Sequence, residues 1–182
     1  MPTLPSVLSS IDLPVPELYA ARLDGELFEL DECFCPIDEI EKRRHRALAL
    51  AAILPARLIA EQRTAAWVFG ALDTPPTRHQ ACANTTARAR PPSVRVNVRE
   101  VVIDDGDVLT LSGVNVTSPL RTAVDLARFS PVFAEEERSM IRFLAASGGF
   151  GLADCRAMLD RRRNLPTKRL AFDRLSSVLS GA

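Results

Sequence analysis

The side chains that carry most enzyme chemistry are scarce or unsuitably spaced in this chain of 182 residues. Its only histidines, His45 and His79, are too far apart for an H-E-x-x-H zinc site. Neither a G-x-S-x-G nucleophile elbow nor a Walker phosphate-binding loop occurs. Nucleases that hold a metal with acidic residues need a lysine beside them, but neither lysine, Lys42 or Lys168, belongs to an E-x-K pair. We therefore predict that the protein is not an enzyme and has no catalytic residues.

Two further patterns are compatible with metal binding but are better explained as structure. Asp104, Asp105 and Asp107 have the spacing of calcium ligands, yet the glutamate that completes such a loop is missing, so we predict a turn between strands. Cys33 and Cys35 lie on one face of a predicted strand. Because no second cysteine pair stands at metal spacing, we expect both to be core residues. The sequence therefore predicts neither a metal nor a cofactor.

Charge is segregated along the chain, although the formal net charge is zero. Residues 1–40 carry one basic and nine acidic side chains, whereas residues 41–99 carry eleven basic and three acidic ones. Residues 100–137 are again acidic, with two basic and eight acidic side chains, and residues 138–182 are again basic, with nine and three. Two interpretations stay open: the blocks pair with one another and cancel, or a basic face is exposed and attracts nucleic acid.

The densest basic clusters are the candidates for nucleic-acid binding, with an ordinary solvated helix face as the alternative. The first cluster consists of Arg43, Arg44 and Arg46, and the second of Arg161, Arg162, Arg163, Lys168 and Arg169. A predicted strand offers a third basic surface, formed by Arg95, Asn97 and Arg99, with Arg88 and Arg90 just before it. No recognition helix with an array of base-reading side chains is identified, so we expect weak sequence selectivity.

The elements that position these residues begin with a short helix-and-hairpin pattern. Helices are predicted over residues 3–10 and 16–24. Two strands joined by an acidic turn are predicted over residues 27–30 and 34–37. A further helix is predicted from Asp38, as its N-cap, to Leu54, with its apolar second half buried. This order predicts a remnant winged helix, yet Arg22 is the only basic residue before position 42, so its DNA face has the wrong charge. A structural cap, or an acidic face for a basic partner, are the alternatives.

Residues 47–182 predict one α+β domain in which helices pack on a small mixed sheet, with residues 1–46 as a separate N-terminal segment. The segment around Trp67, residues 64–70, predicts a short buried helix that begins at Thr64 and ends at Gly70. Strands are predicted over residues 78–82, 94–102 and 108–116. Helices are predicted over residues 118–128, 131–147, 152–163 and 167–180, with a break at the glycines of residues 148–151.

The segment from Val116 to Arg128 is the most informative in the chain. Ser118 suits a helix N-cap and Pro119 the first helical turn. Arg121 and Asp125 stand one turn apart and predict a structural ion pair. Together with residues 64–70, this segment resembles the C-terminal domain of AbiEi-type antitoxins, which belong to bacterial type IV toxin–antitoxin systems. The resemblance covers roughly residues 47–128.

The resemblance implies a winged-helix N-terminus, DNA binding at the operon's own promoter and neutralisation of a nucleotidyltransferase-like toxin. We therefore expect a noncatalytic antitoxin-like or transcriptional-regulatory protein of bacteria, with double-stranded DNA and a cognate toxin as partners. The alternative is a protein-interaction or orphan structural module without DNA binding. No apolar run reaches the roughly 18 residues of a membrane span, and the N-terminus lacks a signal-peptide pattern. The sequence therefore predicts a cytoplasmic protein without membrane contact.

Overall fold

A small sheet covered by helices forms the main part of the structure, a computed structural model that describes residues 5–85 and 91–180. Its helices are α1 (Val15–Leu23), α2 (Arg43–Ala51), α3 (Gln62–Phe69), α4 (Pro119–Phe129), α5 (Glu135–Gly148), α6 (Leu152–Asp160) and α7 (Lys168–Leu179). Its strands are β1 (Leu27–Leu30), β2 (Cys33–Pro36), β3 (Ile59–Ala60), β4 (His79–Asn84), β5 (Val96–Val101), β6 (Val108–Leu111) and β7 (Val114–Thr117). The predicted α+β class, with a small mixed sheet packed by helices, is confirmed.

The main sheet has five strands in the order β5-β4-β3-β7-β6. The two-residue strand β3 joins its halves, since it pairs antiparallel with β4 and parallel with β7. Alternate residues of a strand face opposite sides of a sheet. Ala81 and Ala83 of β4 belong to the main core, whereas Cys82 joins Ile59 and Ile103 in a smaller cluster. The small side chains of Ala81 and Ala83 allow the helices to approach the sheet closely.

Helix α4 holds the helical layer together, since it contacts α3, α5, α6 and α7. Its start follows the prediction: the Ser118 hydroxyl accepts a hydrogen bond from the backbone N–H of Arg121 (3.3 Å), and Pro119 occupies the first turn. Val124 and Leu126 are buried in the main core. The pattern of a capped amphipathic helix after a strand is therefore confirmed.

All residues of helix α3 except Arg63 are buried, and Trp67 has no exposed surface, which confirms its prediction as a core residue. Gly70 ends the helix with φ of +92°, a left-handed conformation that glycine adopts readily. The predicted start at Thr64 is wrong, because the helix begins at Gln62. The Thr64 hydroxyl instead accepts a hydrogen bond from the Gln80 backbone N–H (2.7 Å) and so links α3 to β4.

The N-terminal segment contains the predicted helix α1 and the predicted hairpin of β1 and β2. A helix over residues 3–10 is wrong for the described residues 5–10; residues 3 and 4 lie outside the described part of the chain. Leu8 instead exchanges two backbone hydrogen bonds with Phe34 of β2 (2.7 and 2.9 Å). The Asp12 carboxylate accepts from the Ser9 N–H (2.8 Å), and such local bonds compete with helix formation.

The hairpin is fixed to the main sheet by a buried carboxylate. The Asp31 side chain lies in the turn between β1 and β2, is fully buried and hydrogen-bonds His79 Nε2 of β4 (3.0 Å). Arg95, just before β5, donates to the other Asp31 oxygen (3.0 Å). The N-terminal segment therefore packs directly on the sheet. The predicted boundary between the two parts of the chain, residues 46 and 47, falls inside α2. The division of the chain between those two residues stays a prediction, as does the winged-helix character of the segment.

Two predicted elements differ from the observed ones for identifiable reasons. The helix predicted from Asp38 begins only at Arg43; before it, the chain stays against the hairpin, with the Ile37 N–H bonded to the Glu26 carbonyl and the Glu39 N–H to the Pro36 carbonyl. That helix ends at Ala51, and only one of its faces is buried. The single strand predicted over residues 108–116 is a hairpin, β6 and β7, that turns at Ser112 and Gly113, both with positive φ.

The longest described helix, α5, has 14 residues, and a bilayer crossing takes about 20. No helix in residues 5–85 and 91–180 is long and apolar enough for that.

Candidate nucleic-acid interface and buried ion-pair network

The first basic cluster is largely committed to holding α2 against the end of α3. Arg46 donates from Nη1 to the backbone carbonyls of Trp67 and Leu72 (2.6 Å each), and Arg43 donates from Nε to the Phe69 carbonyl (3.2 Å). Carbonyls at a helix C-terminus lack helical partners and form the negative end of the helix dipole, so arginines stabilise them. These two arginines therefore have a structural task that their spacing in the sequence did not reveal.

Two arginines of that cluster also form ion pairs. Arg44 lies 3.3 Å from a Glu39 oxygen, and Arg46 also contacts Glu41. Arg43 and Arg44 are exposed, whereas the Arg46 side chain is only 13% exposed.

The second basic cluster lies around the turn between α6 and α7 and is more exposed. Arg161 pairs with Asp107 (2.7 Å), Arg162 lies 3.6 Å from Asp104, and Lys168 pairs with Asp160 (2.7 Å). Arg163 and Arg169 are exposed and belong to no ion pair within the described part of the chain. The two clusters contact different elements, since the first packs on α3 and the second on the segment before β6.

The third basic surface is not free, which corrects the prediction of an outward basic face on β5. Arg95 pairs with Asp31 and Glu32 of the hairpin turn. Arg99 places two nitrogens 2.6 Å from the two oxygens of Glu61. Acidic side chains distant in sequence thus neutralise this strand. Arg88 and Arg90 lie outside the described residues.

The predicted pair of Arg121 and Asp125 is confirmed and belongs to a larger buried network. Asp125 is fully buried, and its carboxylate accepts from Arg121 Nε (2.9 Å), Arg99 Nη2 (3.2 Å) and Arg128 Nη1 (3.2 Å). Arg128 is three residues from Asp125 on α4, so helical spacing could have identified it. Arg99 comes from β5, and no local signal pointed to it.

The network continues on both sides of Asp125. Arg121 donates from Nη1 to Asp107 (3.0 Å), which is itself buried and also accepts from Arg161. On the other side, Arg99 joins Asp125 to Glu61 at the start of α3. A chain of alternating charges therefore connects α3, β5, α4, the turn before β6 and the end of α6.

The direction of the pKa shift differs among the arginines of this network. Burial alone would lower the pKa of Arg121, but the carboxylates of Asp125 and Asp107 outweigh it and raise that pKa. Glu61 and Asp125 raise the pKa of Arg99 in the same way, against the effect of burial. Burial lowers the pKa of Arg128, and the charges of Arg121 and Arg99 lower it further, so that Asp125 does not compensate.

Ion pairs between blocks support the first interpretation of the charge pattern for several of the basic side chains. Arg95 of the second block pairs with the first block, Arg63 and Arg99 pair with the third, and Arg161 of the fourth pairs with Asp107 of the third. Acidic and basic blocks therefore pair with one another in part. Within the described part of the chain, the exposed arginines that belong to no ion pair include Arg163 and Arg169 of the second cluster, and also Arg43, Arg57 and Arg78.

The remaining candidates for chemistry have structural explanations. Cys33 and Cys35 are buried, and burial together with neighbouring negative groups raises the pKa of Cys33 to about 11 and that of Cys35 to about 12, so both thiols are protonated at neutral pH. Asp105 and Asp107 lie in a short 3₁₀ turn before β6, as the predicted turn requires. No three His, Cys, Asp or Glu side chains within residues 5–85 and 91–180 are placed to hold a metal ion together.

Comparison with known proteins gives one family and one fold. The family model of the AbiEi antitoxin C-terminal domain matches residues 40–136. The crystal structure of the RV2827C protein from Mycobacterium tuberculosis is similar, with a TM-score of 0.53 and 18% identity, over 97% of this chain and 72% of that chain. At that identity the likeness shows the fold alone. A search of curated proteins finds no match.

Removing the Asp125 carboxylate leaves three arginines close together in a buried site. We predict that Asp125→Ala lowers the free energy of unfolding by roughly 3–5 kcal/mol, the usual range when one partner of a buried ion pair is lost. Urea unfolding, followed by Trp67 fluorescence, measures this loss. Glu29→Gln is the control, since Glu29 forms an exposed pair with Arg22 and should change stability little. Equal stability of the two variants would contradict a structural role for Asp125.

His45 makes stability depend on pH in a defined direction. It is fully buried on α2 and accepts from the Lys42 N–H at Nδ1 (3.2 Å), and burial, followed by the charge of Arg44, lowers its pKa below 6.5. The unfolded chain therefore binds a proton at higher pH than the folded one. The stability that neutral His45 contributes is present above pH 6.5 and is lost as the pH falls below it.

We predict that the free energy of unfolding of the wild type falls more steeply with decreasing pH than that of His45→Gln. The difference in slope is at most about 1.4 kcal/mol per pH unit, which corresponds to one proton. Urea titrations between about pH 7.5 and about pH 5.5 measure it. Parallel pH curves for the two proteins would show that His45 is not the group responsible.

Proposed function

The chain belongs to the family of the AbiEi antitoxin C-terminal domain, and we propose from this premise that it acts as a noncatalytic, antitoxin-like transcriptional regulator. In this proposal the protein binds double-stranded DNA and a cognate toxin through different surfaces. The observation that carries it is the family match over residues 40–136. The distribution of free charge supports the assignment of the surfaces.

The second basic cluster is the proposed DNA interface. Phosphate neutralisation dominates the affinity of proteins for DNA, so the interface needs arginines and lysines whose charge is available to solvent. Arg163 and Arg169 meet this condition best, and Arg161, Arg162 and Lys168 flank them with partial exposure. Arg43 and Arg44 of the first cluster are exposed and could add to it, whereas Arg46 is only 13% exposed and binds the carbonyls of Trp67 and Leu72. Such contacts position DNA without reading its bases, which supports weak sequence selectivity.

The exposed face of α1 is the proposed toxin-binding surface. Val15, Tyr19 and Leu23 stand one helical turn apart and lie exposed on that face, with Leu23 at 82% exposure. Ile11, also exposed, precedes the helix. The surrounding block, residues 1–40, has nine acidic side chains and one basic. An apolar stripe inside an acidic surface suits a partner with a basic rim around an apolar patch, and it does not suit DNA.

The second candidate function is that of a protein-interaction module that does not bind DNA. If the second cluster contacts no DNA, the protein is a protein-interaction module whose basic side chains serve the fold and solubility. The extensive pairing of arginines with carboxylates favours this alternative. Binding measurements distinguish the two.

We predict that the double variant Arg163→Ala/Arg169→Ala weakens binding to a duplex from the region upstream of the gene. Each lost phosphate contact lowers the slope of log K against log salt by about 0.9, so the slope should fall by roughly two. Fluorescence anisotropy over a salt series measures both quantities. Arg22→Ala is the matched control, since Arg22 is exposed but lies in the acidic N-terminal segment. A loss of binding in the control, with unchanged binding in the double variant, would place the DNA interface on the N-terminal segment. No binding by the wild type would favour the interaction module.

We predict that Leu23→Glu weakens binding to a toxin encoded beside the gene by about tenfold or more, because it places a charge at the most exposed apolar side chain of α1. Val132→Glu is the control, because Val132 is similarly exposed but lies in the loop before α5. Calorimetric titration of each variant with the purified toxin measures the affinities. Equal affinities for both variants would remove α1 from the interface.

A further inference from the structure

A cleft of about 110 Å³ lies beside the buried ion-pair network. Five arginines from three parts of the fold line it: Arg99, Arg121, Arg128, Arg161 and Arg162. Two aspartates, Asp104 and Asp107, and a few apolar side chains complete its wall. A water molecule occupies about 30 Å³ in the liquid, so the cleft has room for a few waters or for one tetrahedral oxyanion.

The charges around this cleft do not balance. The five guanidinium groups are paired with the carboxylates of Glu61, Asp104, Asp107 and Asp125. One positive charge is therefore in excess in a partly buried site. Three arginines share Asp125; Arg99 also binds Glu61 and Arg121 also binds Asp107, whereas Arg128 has no second carboxylate among the described residues.

Arg128 is the side chain at which the excess is most evident. Its side chain is 9% exposed, and its Nε is buried without a hydrogen-bond partner among the described residues. Nη1 shares Asp125, and Nη2 reaches only the Pro166 carbonyl (3.4 Å). Buried donors are almost always satisfied, so an unpaired guanidinium nitrogen indicates that an acceptor belongs nearby. The lowered pKa of Arg128 agrees with this deficit of negative charge.

We propose that this cleft is a binding site for one oxyanion of the phosphate class. Arg128 would bind the anion from the buried side, and Arg161 and Arg162 would bind it from the mouth of the cleft. The planar guanidinium group matches the geometry of phosphate oxygens, and charge-assisted hydrogen bonds of this kind are strong. The site follows from the cleft alone and does not depend on the proposed antitoxin function.

Calorimetric titration of the full chain with inorganic phosphate tests the site, with chloride holding the ionic strength constant. The wild type should bind phosphate, and Arg162→Ala should bind it roughly tenfold more weakly, the usual effect of losing a charged hydrogen bond. This variant should fold normally, because Arg162 is 36% exposed and its ion pair with Asp104 lies outside the buried network. Arg156→Ala is the matched control: Arg156 is on α6, is 69% exposed and does not line the cleft, so its loss should leave phosphate binding unchanged.

A competition arm distinguishes two sources of the anion. If phosphate displaces a DNA duplex at constant ionic strength, the cleft takes a phosphate of the nucleic-acid backbone. If phosphate binds and the duplex stays bound or never binds, the cleft takes a free phosphate or a small phosphorylated molecule. Both results support the site. The proposal is overturned if the wild type does not bind phosphate, or if wild type and Arg162→Ala bind it equally well.

Discussion

The buried carboxylate of Asp125 is the constraint on which much of the structure depends. A carboxylate removed from water is costly unless positive groups and hydrogen bonds surround it. Here, three arginines supply them, two from α4 itself and one, Arg99, from β5. Because Arg99 also binds Glu61 and Arg121 also binds Asp107, the position of Asp125 fixes α3, the sheet and the turn before β6 relative to α4. Desolvation offsets much of the attraction within such buried ion pairs, so their presence alone does not indicate a large net gain in stability, although removing one partner is costly.

Sequence patterns predicted what depends on local spacing and failed where distant residues meet. The cap at Ser118, the pair of Arg121 with Asp125 and the buried Trp67 follow from helical periodicity and composition, and all three are confirmed. The prediction of a free basic face on β5 was wrong, because Arg99 and Arg95 pair with Glu61 and Asp31. These two carboxylates come from elements far away in sequence. Strand β3 has only two residues, too few for an alternating pattern. The turn at Ser112 and Gly113 did carry a hairpin signal, because a serine and a glycine stand between two short runs with apolar residues, 108–111 and 114–116.

Arginine-rich clusters look alike in sequence but serve different purposes, and the reason is what lies opposite them. Arg43 and Arg46 face the C-terminal carbonyls of α3, which need donors because Gly70 ends the helix there. Arg163 and Arg169 face solvent. A count of basic residues cannot separate these cases, since the unsatisfied carbonyls belong to another element. Only the charge left after this structural use is available to a partner, and at the turn between α6 and α7 it includes Arg163 and Arg169.

The extent of the family match bears on how the arginine cleft is built. Glu61, Arg99, Asp107, Arg121, Asp125 and Arg128 all fall within the matched residues 40–136, so the buried network belongs to the part of the chain that the family model describes. Arg161 and Arg162 lie beyond it, at the end of α6. The inner wall of the cleft thus lies within the matched residues, whereas Arg161 and Arg162 at its mouth come from the end of α6, so the cleft is complete only where that helix packs against α4 and the turn before β6.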